Sequence, residues 1–153
     1  MRYITDESEA EFVPLQDEID CISNFIALQK LRLGSMVTLN YNITGDPTGR
    51  RVMPLAFMTF IENSFKYGLS NHQEATIDIS VSIENSRIVF ATKNKIFDHQ
   101  HTNETGNQEA NKRKGVGIEN TKRRLEYTYP DAHTLTINSE NSYFSILLIL
   151  ADK

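Results

Sequence analysis

Phe60-Ile61-Glu62-Asn63-Ser64-Phe65-Lys66-Tyr67-Gly68 is the stretch on which the reading of this chain turns. Its apolar residues have the spacing of a packed helix, yet it carries a carboxylate, a carboxamide, an ammonium and a phenol. Asn63, Lys66 and Tyr67 stand at i, i+3 and i+4, so a helix places all three on one face. Asn63 is a neutral oxygen ligand of the kind magnesium accepts in small number, or a buried amide bonded to nearby backbone. Lys66 is a phosphate-neutralising cation or a solvated lysine. Tyr67 stacks on a base, bonds a sugar, or packs beside Gly68. Glu62 acts as a base, orients a water, or is simply a solvated carboxylate. Together these side chains look like one half of a nucleotide site.

Outward from this helix, the turn signals and periodicities lay out the rest of the chain. Pro54 opens the helix and Gly68 closes it. Upstream, Thr44-Gly45-Asp46-Pro47-Thr48-Gly49 is a turn cluster, and Val37, Leu39, Tyr41 and Ile43 alternate with polar residues as a half-buried strand over 36–43. Val13-Pro14 begins an earlier helix with Leu15, Ile19, Ile22, Ile26 and Leu33 at helical spacing, stopped by Gly34. Downstream, 77–83 and 87–94 form a hairpin. Residues 98–114 hold no large apolar side chain and are expected as a mobile, lid-like loop. A helix runs from Gly117 to about Thr128, with Ile118 and Leu125 facing in. Residues 133–138 and 143–150 form a last hairpin whose second strand, apolar on both faces, is expected to be central. The order α, β, α, β, β, α, β, β predicts an α+β sandwich: one mixed, mainly antiparallel sheet with helices packed on one face.

The second half of a nucleotide site is supplied by Gly115-Val116-Gly117-Ile118. Two glycines one residue apart, directly before a helix, let backbone approach phosphates and aim the helix N-terminus at them. A flexible hinge of the polar loop explains the pair equally well. Arg123 and Arg124 suit pairing with Glu119 or Glu126 better than phosphate contact. His72, His99, His101 and His133 fall in predicted loops without metal-ligand spacing or a partner nucleophile.

Bulk properties narrow the classes. The chain has 153 residues, enough for one domain with a real core. Its formal net charge is −4, so electrostatics favour neither nucleic acid nor an anionic membrane as partner. The one cysteine, Cys21, makes no internal disulfide. No apolar run reaches the roughly 18 residues a membrane-spanning helix needs. These features predict a soluble cytoplasmic domain.

Three segments, in order, resemble the catalytic domain of bacterial sensor histidine kinases. Phe60 to Gly68 resembles their N box. Gly115-Val-Gly-Ile-Glu-Asn-Thr-Lys-Arg-Arg-Leu125, followed by Tyr129-Pro130, resembles their second glycine-rich box and its helix. Val13-Pro-Leu-Gln-Asp-Glu-Ile19 through Leu31-Arg32 looks like the helix that opens the domain in the LytS/YehU-like group. The resemblance implies the Bergerat (GHKL) fold over residues 13–153, with residues 1–12 as the tail of an upstream dimerisation domain. It implies ATP and Mg²⁺ as cofactors: Asn63 as the metal ligand, Glu62 beside it in the catalytic pair, Lys66 on phosphate, Tyr67 against the nucleotide, and Gly115, Gly117 and Ile118 at the phosphates under a lid of residues 98–114. It further implies an upstream phosphoacceptor domain and a response regulator as partners, and a membrane-anchored homodimer as the full-length protein.

Two departures stand out. The family's first glycine-rich box is an Asp followed by glycines, and the Asp bonds the adenine amino group. The equivalent run here is Ala91-Thr92-Lys93-Asn94-Lys95-Ile96-Phe97. Asn94 takes the place of the Asp without its charge, for an expected loss of ~1–2 kcal/mol of binding. No histidine here has the helical setting of a phosphoacceptor. Other GHKL ATPases and serine kinases carry a catalytic Glu four residues before the metal Asn, where this chain has Thr59. A degenerate domain that responds to nucleotide or binds partners without kinase activity is the alternative that Asn94 keeps open.

Overall fold

The computed structural model describes residues 12–70, 72–97 and 107–151, with the backbone alone for 107–116. The elements are β1 (Val13–Pro14), α1 (Leu15–Arg32), β2 (Val37–Thr44), β3 (Arg51–Val52), α2 (Met58–Tyr67), β4 (Ala75–Ile83), β5 (Arg87–Lys95), α3 (Asn107–Thr128), β6 (His133–Glu140) and β7 (Tyr143–Ala151).

Five strands form one sheet in the order β2-β4-β5-β7-β6. β2 and β4 pair in parallel, and every other neighbouring pair is antiparallel. The parallel pair requires a crossover, and α2 lies within it. The two hairpins close locally. At β6–β7 the turn is Asn141-Ser142, both with positive φ, as a two-residue loop matched to strand twist requires. β7 lies between β5 and β6, so the expectation of a central last strand holds. Its second face is not covered, however: Leu147 remains 38% exposed.

One face of the sheet carries the core. Ile77, Ile79, Val81, Ile88, Phe90, Ile146, Leu148 and Leu150 are buried there together with Leu15, Ile19, Ile22 and Ile26 of α1, Phe60, Ile61 and Phe65 of α2, and Leu125 of α3. Phe90 stacks on Phe57 with centroids 4.7 Å apart. Burying each such side chain is worth about 1.5–3 kcal/mol, which is what holds α2 to the middle of the sheet. The opposite face stays open, with Asn40, Asn42, Ser80 and Lys93 exposed along it.

The structure adjusts several sequence expectations. Val13–Pro14 is not the first turn of a helix but a short strand paired with Arg51–Val52. Proline φ suits both conformations, and Pro14 becomes the N-cap, so α1 starts at Leu15. Phe12, assigned to the linker, packs edge-on against Tyr129 at 5.8 Å. Residues 54–57 form turns and α2 begins at Met58. His133 opens β6 rather than a loop, its Nδ1 2.8 Å from the Tyr129 carbonyl.

The largest difference is α3. It starts at Asn107, not Gly117, and runs through both glycines. Asn107-Gln-Glu-Ala-Asn-Lys-Arg-Lys114 has no large apolar residue, but Gln, Glu, Ala, Lys and Arg have high helix propensity. The rest of the expected lid, 98–106, lies outside the described residues.

Candidate functional site

α2 divides cleanly between a packed side and an open one. Phe60, Ile61, Ser64 and Phe65 are buried, and Ser64 donates its hydroxyl to the Phe60 carbonyl at 3.1 Å. Thr59, Asn63 and Tyr67 are half-buried, and Glu62 and Lys66 are exposed. Asn63, Lys66 and Tyr67 therefore share the less buried side, as the spacing predicts. Lys66 Nζ lies 5.4 Å from the centre of the Tyr67 ring, where a cation and an aromatic face attract.

The two ends of this side meet the other candidate segments. At the N-terminal end, Gly117 of α3 lies over Thr59, one turn before Asn63. A Cβ on Gly117 would stand 3.7 Å from Thr59 Cγ2. At the C-terminal end, Gly68 caps α2 and donates its N–H to the Ser64 carbonyl at 2.8 Å. Gly68 sits directly on Asn94 of β5: a Cβ there would be 2.9 Å from Asn94 Cβ and 3.0 Å from its Nδ2. Only a residue without a side chain permits this approach. One helix thus links Gly117, Asn63 and Asn94, three positions far apart in sequence.

Asn94 is buried, 1% exposed, between Ile77 of β4 and Phe144 of β7. Its Nδ2 donates to the Lys95 carbonyl at 3.2 Å, which turns Oδ1 the other way. Oδ1 has no hydrogen-bond partner among the described residues. A buried amide oxygen left so costs about 1–3 kcal/mol unless an N–H reaches it. β5 ends at Lys95; Ile96 N–H then bonds the Ser142 carbonyl of the β6–β7 turn at 2.7 Å and Phe97 N–H bonds the Tyr67 carbonyl at the end of α2 at 3.4 Å, so 95–97 is held between the end of the sheet and α2 instead of forming a glycine loop.

Gly115 and Gly117 lie within α3. Their N–H groups belong to the intrahelical ladder instead of standing free at a helix N-terminus. Ile118 is half-buried against the core. Arg124 donates from Nη2 to the Pro54 carbonyl at 2.7 Å, tying α3 to the turn before α2 instead of pairing with Glu126. Lys122, not an arginine, pairs with Glu119 at 3.2 Å.

Two features escaped the sequence reading. Thr92 is 2% exposed, two residues before Asn94 on the same face, and its Oγ1 also has no partner among the described residues. Strand alternation places Ile88, Phe90, Thr92 and Asn94 on one face, and a hydroxyl among those apolar residues was the available signal. Glu18 of α1 is 7% exposed and receives the N–H of Leu55 in the turn before α2. Leu55 holds φ at 58°, a conformation unusual for leucine. A shallow hollow of about 420 Å³ lies on the open sheet face, among Asn40, Asp78, Lys93, Asn138 and Ser145.

Protein-family models and curated proteins give no match to the chain. Solved structures do. The nucleotide-free catalytic domain of the histidine kinase ThkA superposes with a TM-score of 0.59 at 11% identity, over 92% of this chain and 97% of that one. A second nucleotide-free form of ThkA gives 0.57 at 10% identity, over 92% and 93%. The Acinetobacter baumannii histidine kinase AdeS gives 0.56 at 9% identity, over 92% of this chain and 66% of that one. The chain has the GHKL fold of histidine kinase catalytic domains. At these identities the likeness concerns the fold, and function must be argued from the site.

Proposed function

We propose that this chain is the ATP-binding catalytic domain of a two-component sensor histidine kinase, covering residues 13–153. The observation that carries the reading is the buried Asn94 Oδ1, without a hydrogen-bond partner among the described residues and held against Gly68, at the end of the helix that presents Asn63. Within the fold shared with kinase catalytic domains, an acceptor there suits the amino group of adenine. The groups present fit a magnesium nucleotide. Asn63 supplies a neutral oxygen on the half-buried side, and Lys66 and Tyr67 follow on the same face.

In this reading Asn63 holds the metal and Glu62, next to it, orients the attacking group. Lys66 neutralises phosphate, Tyr67 lies against the nucleotide, and backbone at Gly115, Gly117 and Ile118 takes the phosphate tail. When bound there, magnesium would supply positive charge against the phosphates. For the glycine N–H groups to take part, α3 must unwind ahead of Thr121, whose hydroxyl bonds the Gly117 carbonyl at 3.0 Å. Glycine costs a helix interior about 1 kcal/mol relative to alanine, so two of them make this the weakest part of α3. The acceptor is a histidine on an upstream helical domain of the same protein, and a response regulator receives the phosphoryl group. The full-length protein in this reading is a membrane-anchored homodimer with this domain in the cytoplasm. Among the described residues no helix is long and apolar enough to cross a membrane.

The bonds that tie Ile96 to the β6–β7 turn and Phe97 to the end of α2, with no glycine after Asn94, favour one other reading, a nucleotide-responsive domain without kinase activity. Supplying the upstream helical domain in trans with γ-labelled Mg-ATP separates them. Acid-labile, base-stable label on that domain supports the kinase. Nucleotide binding without label supports the second reading.

A further inference from the structure

We infer that Thr92 is a second base-reading residue, and that its hydroxyl contacts the purine ring nitrogen beside the 6-amino group that Asn94 accepts. The inference rests on the nucleotide reading above and assigns a role to a residue outside it.

Thr92 and Asn94 are alternate residues of β5, so both project toward α2 at a separation of about 6.6 Å along the strand. The neighbours of Thr92 across the sheet are Ile79 and Ile146. Phe90, the next residue on the same face, stacks on Phe57. Thr92 is thus a hydroxyl in a place built for a methyl. Valine has the same shape and would satisfy every apolar neighbour without burying an unbonded polar atom. The hydroxyl brings no internal bond in return, since Oγ1 has no partner among the described residues.

The chemistry of the pair is complementary to one edge of adenine. With Nδ2 bound to the Lys95 carbonyl, Asn94 offers only an acceptor, Oδ1. The exocyclic amine is a donor. A hydroxyl both donates and accepts, so Thr92 can donate to the ring nitrogen, directly or through one water. A 6-oxopurine would set its carbonyl oxygen against Oδ1, while its ring N–H could still donate to the Thr92 hydroxyl. Asn94 therefore carries the discrimination between 6-amino and 6-oxo nucleotides, and Thr92 contributes affinity through the ring nitrogen.

The test pairs variants with ligand analogues. Thr92→Val, Thr92→Ser and the parent chain are titrated with Mg-ATP and with Mg-1-deaza-ATP, which has carbon in place of that ring nitrogen. Melting temperatures are recorded for all three proteins. The expected result is an affinity loss of about tenfold for ATP in Thr92→Val. Affinity for 1-deaza-ATP should be unchanged, Thr92→Ser should retain ATP binding, and the melting temperature of Thr92→Val should equal or exceed the parent's. Equal losses for both ligands, or no loss for either, would overturn the role of Thr92 while leaving nucleotide binding standing. Failure of the parent to bind ATP would remove both readings.

Discussion

Gly68 lies on Asn94 with no room for a methyl group between them: a Cβ at 68 would come within 2.9 Å of Asn94 Cβ and would also run into the Ser64 carbonyl. The glycine that ends α2 therefore sets the distance between the helix and β5. Gly68 φ is −94°, which any residue adopts, so the constraint is contact and not conformation. Gly68→Ala is expected to cost about 1–3 kcal/mol by overpacking against backbone. Because the displaced residue is Asn94, nucleotide affinity should fall as well. Urea unfolding and Mg-ATP titration of the same variant check both. Lost stability with unchanged affinity would separate Asn94 from the binding site.

Gly117 gives the opposite signature. A Cβ there meets Thr59 at an ordinary 3.7 Å, so alanine fits. Gly117→Ala should raise stability by about 1 kcal/mol through helix propensity. It should also stiffen the segment that must unwind to free the backbone N–H groups, lowering Mg-ATP affinity. A stabilised variant that binds as well as the parent would show that the phosphates are held elsewhere.

Glu18 should make stability depend on pH. Burial pushes its carboxyl above the ordinary carboxylate range, against the opposing pull of the Leu55 N–H and the Arg124 guanidinium. The unfolded chain releases this proton near 4.5 and the folded chain holds it to higher pH. The folded state therefore binds more protons in that window, and its stability falls as pH rises through it. Glu18→Gln keeps an acceptor for Leu55 without the charge. Its melting temperature should exceed the parent's at neutral pH, and the difference should shrink once the medium is more acidic than the unfolded value. Thermal melts across pH 4 to 8 decide this, and a parallel offset at every pH would contradict it.

The fold was legible because its elements announce themselves locally. Alternation in 75–83 and 87–95, helical spacing from Leu15 to Ile26, and the turn at Asn141-Ser142 are short-range signals, and each corresponds to an observed element. The parallel pairing of β2 with β4 follows from the crossover around α2, which only the assembled order reveals. The start of α3 was not legible, because periodicity follows apolar residues and Asn107–Lys114 has no large one. Of the site, the shared side of Asn63, Lys66 and Tyr67 was readable from spacing. The approach of Gly68 to Asn94 and of Gly117 to Thr59 was not, since each joins segments more than 20 residues apart in sequence. Thr92 was visible as a polar residue on a buried face, but its missing partner is a property of the packed layers.

The most direct test of the central claim is calorimetric titration of the chain and of Asn63→Ala with ATP, in the presence and absence of magnesium. Saturable, magnesium-dependent binding by the parent is expected, tighter than about 1 mM, or ~4 kcal/mol. In Asn63→Ala the magnesium-dependent part should be lost while the fold, followed by circular dichroism, is kept. No saturable binding up to millimolar nucleotide, or an Asn63→Ala titration superimposable on that of the parent, would contradict the assignment of this helix as the nucleotide site.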